Sequence, residues 1–385
     1  MIRSFKVMLI PNNKQNSVLF NFGGASRFAY NWAIEQIKNN YQKTSKFIDD
    51  YELRRKFTEL KKEEKYKWLY EISSNITKQA IKDACLDFKK FFKKYSKYPP
   101  FKSKKRNTSF YQDTLKIKFN SNHVKLEKIT NSKKKNRQKL NWIKLAEKNR
   151  IPINSKYYNP RIKFDGLNWW LTIGVDVESK ESKPNNEGIG IDLGIKDLAI
   201  CSDGKKYENI NKTSKVKKIE KSKKRLERSI SRSYLKNKKD DKYIKTKNII
   251  KKQKILLKKY HRLNNIRDNY INQVISKVIK REPKFIAVEN LNVAGMLKNK
   301  HLSKSIKEQK FSAFKIKIER KCESNNIRFV LVDRFFPSSK MCIKCGTIKT
   351  NLKLKDRIYK CDCGNVIDRD YQASLNLKEY AEKNI

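Results

Sequence analysis

Four cysteines stand in two close pairs, Cys342-Ile343-Lys344-Cys345 and Cys361-Asp362-Cys363, with fifteen residues between the pairs. Two thiolates at this spacing reach one ion, and two such pairs supply the four sulfurs of a structural Zn²⁺ ribbon. A redox dithiol needs only one pair. Gly346, just after the second ligand, permits the positive φ that a knuckle requires. Four sulfurs close the coordination shell, so this ion is expected to hold the fold and leave catalysis to other groups.

Three acids stand where apolar runs or a helix start deliver them: Asp192 after Gly188-Ile189-Gly190-Ile191, Glu289 after Phe285-Ile286-Ala287-Val288, and Asp370, with Asp368 beside it. Singly, each has an ordinary explanation, since an Asp at a strand end often caps a turn. Asp197, Asp203 and Asp333 fit that role and are assigned no chemistry. The order of the three is more informative: an acid on the first strand of a meander, one on a later parallel strand, one opening the final helix. An RNase H-like nuclease core requires that order. Phosphodiester hydrolysis needs the charge developing on phosphorus to be neutralised, and two Mg²⁺ ions held by convergent carboxylates do this. Only three histidines exist, His123, His261 and His301, and none follows an apolar run that would present it at a strand end as the acids are presented. Carboxylate–metal chemistry is the better fit.

The charge names the partner class. In 385 residues there are 93 Lys or Arg and 39 Asp or Glu, a net +54. Self-repulsion on this scale calls for a polyanion, which excludes an ordinary metabolic-enzyme surface. Lys outnumbers Arg by 74 to 19, so most of the charge should track a phosphate backbone and little of it should read bases. Aromatic residues make up 11% of the chain, too many for a disordered basic tail. The start carries no apolar signal segment and no stretch reaches membrane-span length, so a soluble cytoplasmic protein is expected. Cys85, Cys201 and Cys322 lie among apolar residues and read as buried thiols.

Elements must position these groups. Phe5–Ile10 reads as a strand ended by Pro11, and helical spacing runs from there to about residue 98. No strict capping box is read there; Ser74 and Asn75 are the candidate caps. Leu115–Phe119 and Val124–Leu126 alternate as strands, and Ile162–Phe164 with Trp169–Ile173 flank Asp165-Gly166 as a hairpin. With the first strand these pieces suggest a small β-barrel carrying an inserted helical region. A three-stranded meander follows from Gly188 to about Tyr207. From Lys212 to Arg262 there are 22 basic and 4 acidic residues, the pattern of a helical hairpin lying along nucleic acid. Phe285–Glu289 is a buried parallel strand, a helix and the strand Ile327–Val332 succeed it, and a last helix starts near Asp370.

The segments Gly190-Ile191-Asp192-Leu193-Gly194-Ile195-Lys196, Val288-Glu289-Asn290-Leu291-Asn292, Phe336-Pro337-Ser338-Ser339-Lys340 leading into the first cysteine pair, and Asp368-Arg369-Asp370-Tyr371-Gln372-Ala373-Ser374-Leu375-Asn376-Leu377 resemble the TnpB (OrfB) proteins of bacterial insertion sequences, relatives of the type V CRISPR effectors. Tyr30-Asn31-Trp32 and Pro100-Phe101-Lys102-Ser103-Lys104 extend the resemblance to most of the chain. This chain has Gln372 where the family commonly has Asn, and Cys-x-Cys at Cys361 where it commonly has Cys-x-x-Cys.

The resemblance implies an RNA-guided DNA endonuclease with a RuvC-type triad at Asp192, Glu289 and Asp370. It implies two catalytic Mg²⁺ ions and one structural Zn²⁺ on Cys342, Cys345, Cys361 and Cys363. The implied partners are a guide RNA from the transposon end and double-stranded target DNA with a short flanking motif. A monomer in the bacterial cytosol, associated with the nucleoid, is expected. A nuclease-inactive RNA-guided DNA-binding regulator and an accessory transposase are the alternatives. Nucleic-acid contacts are expected from Lys217, Lys218, Lys224, Arg225 and Arg232 on the hairpin, and from Lys104 and Lys105. The expected fold is multidomain, α/β and α+β. A β-barrel (wedge-like) domain spans 1–15 and 99–183, with a helical recognition domain, 16–98, inserted in it. A RuvC-like RNase H core spans 184–385 and carries the helical hairpin 212–280 and the zinc ribbon 336–366.

Overall fold

The computed structural model describes residues 2–385 except 105–107, 131–133, 135–137, 179–183, 185, 241 and 353–355. The chain divides into two units, 1–178 and 179–385, each mixing helix and sheet. No helix among the described residues is long and apolar enough to cross a membrane.

The first unit opens with β1 (Ile2–Ile10), whose Phe5, Val7 and Leu9 alternate inward before Pro11 ends it. Helix α1 (Asn13–Thr44) starts on a capping box: Gln15 N donates to Asn12 Oδ1, and Asn12 N donates to Gln15 Oε1, both at 2.9 Å. The box lies in sequence as Asn12-x-x-Gln15, so the start of the first helix carried a signal that the search for Ser or Thr caps passes over. Helices α2 (Asp50–Leu60) and α3 (Ser74–Phe92) follow, and α3 is capped by Ser73, one residue before the expected Ser74. Helix ends at Phe92, short of residue 98.

The remaining strands of this unit are β2 (Ser109–Tyr111), β3 (Lys118–Phe119), β4 (His123–Lys125), β5 (Trp142–Leu145), β6 (Tyr157–Phe164) and β7 (Trp169–Asp176). They join β1 in one antiparallel sheet of order β2-β6-β7-β1-β5-β4-β3. Among the described residues no pairing joins the outer strands β2 and β3. The expected strand Leu115–Phe119 shrinks to its last two residues. Leu115 is 89% exposed, and the backbone before Lys118 is instead turned by Asp113, whose Oδ1 accepts from Leu115 N. The β6–β7 hairpin forms where expected, with Gly166 at φ +97° and Asp165 Oδ1 accepting from Leu167 N and Asn168 N.

The second unit is built on a five-stranded sheet of order β10-β9-β8-β13-β14. Strands β8 (Ile189–Asp192), β9 (Asp197–Cys201) and β10 (Lys206–Glu208) form an antiparallel meander. Helices α4 (Ser214–Lys236) and α5 (Lys247–Ile279) form the basic hairpin, with β11 (Lys238–Lys239) and β12 (Lys242–Tyr243) paired at its tip. Strand β13 (Phe285–Glu289) then lies parallel to β8. Short helices α6 (Val293–Met296) and α7 (Ser303–Gln309) lead to α8 (Phe311–Glu323) and to β14 (Arg328–Val332), parallel to β13. A ribbon with the hairpin β15 (Ile358–Lys360) and β16 (Val366–Asp368) precedes the last helix, α9 (Arg369–Asn384).

Strand alternation sorts the two faces of this sheet. Ile189, Ile191, Ile286 and Val288 pack against Val274 and Val278 of α5 and Phe314 and Ile318 of α8. Phe285 and Ala287 face the other way, onto Leu377 and Ala381 of α9. Gly190 lies on that second face. A Cβ at Gly190 would sit 2.0 Å from Ser374 O and 2.6 Å from Lys378 N, so helix backbone rests directly on strand backbone. Gly190→Ala should therefore lift α9 off β8 and destabilise the protein by about 1–3 kcal/mol, the usual cost of overpacking. A urea midpoint equal to that of the parent would contradict this.

Candidate active site and cysteine cluster

Asp192 is the last residue of β8 and Glu289 the last of β13. Ile191 pairs with Val288 in register, so the two acids are next neighbours across parallel strands. Two residues on from Gly190 and Ala287 respectively, both point to the face that α9 covers. Asp370 lies in the first turn of α9. All three line one cavity of about 970 Å³. The cavity wall also carries Lys196, Lys212, Arg334, Lys340, Arg357 and Arg369. Asp368 is not among the lining residues. It caps α9, accepting from Asp370 N at 3.1 Å and Tyr371 N at 3.0 Å, and pairs with Lys206 at 3.6 Å.

The acids sense one another. Burial, then the charges of Asp370 and Glu289, push the Asp192 carboxyl from its ordinary 3.8 up to about 8. Burial also raises Glu289. Asp370 is held differently, by Arg357 and Arg369, each at 3.3 Å. Among the described residues only the cysteine quartet draws its donor atoms within 4.8 Å of one another. The acids share a cavity at wider spacing, with arginine as the nearest cation on Asp370. A half-buried acid raised by burial and by two neighbouring acids marks a candidate functional site.

The acids assigned no chemistry do local work. Asp333 Oδ1 accepts from Phe335 N at 2.7 Å, and Asp203 Oδ1 accepts from Lys205 N at 3.2 Å while its other oxygen meets Arg281. Asp197 opens β9. Cys85, Cys201 and Cys322 are buried, and burial pushes each thiol up to about 12, out of the reactive range.

The quartet Cys342, Cys345, Cys361 and Cys363 converges as its spacing predicts. Sγ–Sγ separations are 3.7 Å for Cys342–Cys363 and 3.5 Å for Cys345–Cys361. Four sulfurs at about 2.3 Å from a tetrahedral Zn²⁺ lie about 3.8 Å apart, so the donor set fits that ion. Gly346 and Gly364 take φ of +73° and +80°, one after each pair. Burial works to raise the Cys342 thiol. The backbone amides of Cys345 and Lys344 and the Asn365 side chain outweigh it and bring the thiol down to about 6. Such a thiol is ionised, ready to ligate, at neutral pH.

Buried amides tie this cluster to α9, and the sequence reading missed them. Asn365 Nδ2 lies 3.4 Å from Cys342 Sγ and donates to Gln372 Oε1 at 3.0 Å. Asn376 Nδ2 donates to Ser338 O at 2.6 Å and to Met341 O at 2.7 Å. Gln372 Nε2 and Asn376 Oδ1, one helical turn apart, are buried without a hydrogen-bond partner among the described residues. The available signal was two amides inside the apolar stripe of Ala373, Leu377 and Ala381. Buried polar groups there need partners. Elemental analysis of purified protein should find about one zinc per chain. Chelating it should speed amide hydrogen exchange at residues 370–374 by about tenfold or more, while the α5–α8 core keeps its protection. Unchanged exchange at the start of α9 would disconnect the ribbon from the acid.

Lys217, Lys218, Lys224, Arg225 and Arg232 lie along α4, whose Val216 and Ile230 are buried, and all five are exposed. Arg267 of α5 anchors the hairpin, donating to Glu220 Oε1 at 3.1 Å and Asn211 Oδ1 at 2.7 Å. Lys104 lines a pocket of the first unit together with Trp68 and Phe20. Lys105 lies outside the described residues.

Three family models match in chain order: "Helix-turn-helix domain" of the OrfB_IS605 type over residues 1–46, OrfB_IS605 "Probable transposase" over 172–300, and "Cas12f1-like, TNB domain" over 311–377. Residues 2–44 here form a strand and one uninterrupted helix, without the turn that the first description names. A Streptomyces pristinaespiralis protein named "Putative RNA-guided DNA endonuclease" is 27% identical over 97% of this chain and 88% of its own length. An Escherichia coli K12 protein named "Putative RNA-guided DNA endonuclease InsQ" is also 27% identical, over 77% of this chain and 68% of its own. A solved Cas12f1–sgRNA–target DNA complex overlaps 98% of this chain and 99% of its own at 16% identity, with a TM-score of 0.37, too loose to carry function. Its N-terminal, central and C-terminal segments thus match models of OrfB-type and Cas12f1-like proteins in order, and the chain is similar along nearly its whole length to proteins named as RNA-guided DNA endonucleases.

Proposed function

We propose that this protein is an RNA-guided DNA endonuclease of an insertion sequence, hydrolysing DNA phosphodiesters in the cavity of Asp192, Glu289 and Asp370. The observation that carries the reading is the convergence of three acids, from β8, β13 and α9, on one face of one sheet. The names of the relatives agree with it. The meander followed by parallel strands and a closing helix is the order of a RuvC-type RNase H core, which we assign to 184–385, with the hairpin at 212–280 and the zinc ribbon at 336–366. We assign 1–15 and 99–183 to a barrel-like wedge and 16–98 to an inserted recognition domain.

Asp192, Glu289 and Asp370 would hold two Mg²⁺ ions, which when bound supply the positive charge that offsets the developing charge on phosphorus. Asp192 must lose its proton to take part, and its raised pKa means that cation uptake and proton release are linked. Arg334, Lys196 and Lys340 are placed to hold backbone phosphates beside the acids. The exposed cations of α4 follow a backbone without reading sequence. The partners are a guide RNA from the transposon end and duplex DNA with a short flanking motif, met by a monomer in the bacterial cytosol at the nucleoid. A non-cutting regulator or an accessory transposase has less use for mutually repelling acids kept in one cavity.

Sequencing the RNA that co-purifies with the protein should recover one species ending in a variable guide. A plasmid carrying the matching target should be cut in Mg²⁺, and Asp192→Ala should slow cutting on the order of 10³-fold, the roughly 4 kcal/mol expected of a metal-charge term. Equal rates for parent and variant would end this reading.

A second test uses stability. A folded carboxyl at about 8, against an ordinary 3.8, is most favourable at low pH and loses its contribution as pH rises through 8. Asp192→Asn removes that loss. In metal-free buffer the variant should melt several degrees above the parent at pH 9, and the gap should close toward pH 4. A gap that widens on acidification would refute the linkage.

A further inference from the structure

Phe335 stands at the rim of the acid cavity and is 86% exposed. Leaving a Phe side chain in water forgoes the gain of burying it. The turn after β14 enforces it. Phe335 N donates to Asp333 Oδ1 at 2.7 Å, and Phe336 N donates to Asp333 O at 3.2 Å. The next ring, Phe336, packs inward on Tyr380 of α9 with centroids 4.8 Å apart, and Pro337 follows. One aromatic anchors the turn, and its neighbour is thereby presented outward. Beside it lie Arg334, Lys196 and Lys340, which suit phosphates, and Leu302, a second exposed apolar side chain on the same wall.

An apolar ring next to phosphate-binding cations matches a nucleotide whose base face is free. Bases in a duplex are stacked on one another and offer no such face, whereas an unpaired base is stabilised by stacking on an aromatic side chain. The cavity, about 970 Å³, has the size of a site for a few rings and not for a duplex. We propose that Phe335 is a stacking platform for an unpaired base of single-stranded DNA, and that it sets the position of the neighbouring phosphate over Asp192 and Glu289. This deepens the nuclease reading and rests on it for the cleavage step. The stacking itself is measurable without cleavage.

The test uses full-length protein carrying Asp192→Ala, so that nothing is cut, and a short single-stranded DNA containing 2-aminopurine. Binding should quench the 2-aminopurine emission. Adding Phe335→Leu should abolish the quench and weaken single-strand binding by about fivefold or more, whereas Phe335→Trp should preserve both. Affinity for a blunt duplex of the same sequence should be the same in all three proteins. In a 5-iododeoxyuridine oligonucleotide, light should crosslink the base to the peptide containing Phe335. Because the side chain is exposed, melting temperatures should match, which removes misfolding as an explanation. A Leu variant that quenches like the parent, or that weakens single-strand and duplex binding alike, would overturn the proposal. If parent protein cuts while Phe335→Leu keeps full quenching, only the platform falls. If quenching depends on Phe335 while the parent never cuts, the nuclease reading falls and the platform stands.

Discussion

The close approach of α9 to β8 over Gly190 is the contact on which the site depends. Backbone meets backbone there, with no room for one methyl group. That approach sets where the N-terminus of α9 lies, and so where Asp370 stands relative to Asp192 and Glu289. Two other attachments serve the same end. Leu377 and Ala381 pack on Phe285 and Ala287, and the buried amides of Gln372 and Asn376 fasten the helix to the ribbon. The helix is seated by apolar packing, a glycine gap and polar latches, and the acid at its start takes its position from all of them.

The electrostatics have two scales. Over the whole chain a net +54 makes a field that draws polyanions, expressed locally in the exposed cations along α4 and in the arginines and lysines of the cavity wall. Inside the cavity this cationic wall meets three acids. Burial and mutual repulsion hold Asp192 protonated into the neutral range, and Arg357 and Arg369 occupy Asp370. On the proposed reading, the wall would attract the phosphate backbone, and the acids would become a negative centre only as cations displace the Asp192 proton. The thiolate cluster stands apart from this chemistry. Its link to the helix that carries the acid runs through Asn365 and Gln372.

Much of the second unit was legible before any coordinates. The meander, the parallel strand at Phe285–Glu289, the strand ending at Val332 and the knuckle glycine at Gly346 all lie where pattern and spacing put them, because period-two burial and metal spacing are local signals. The first unit was harder. Strands of two to four residues, such as β3, β4 and β5, carry too few alternations to be told from turns. Leu115 shows the consequence: an apolar residue in an alternating run that remains in solvent because Asp113 turns the chain.

By itself the sequence determined the chemistry available: four thiols at ligand spacing, acids at the ends of apolar runs, and a charge that demands a polyanion. These are properties of residue type and near neighbours along the chain. Only the tertiary structure decided which acids meet. Asp368 and Asp370 are two residues apart and equivalent in composition, yet helix geometry makes one a cap and aims the other into the cavity. It also decided that Phe335 faces out while Phe336 packs in, and that Gln372 and Asn376 latch the helix. Such outcomes depend on contacts between residues as much as 191 positions apart, as in the pairing of Lys378 with Glu187, and no local pattern encodes which distant backbone a side chain will meet.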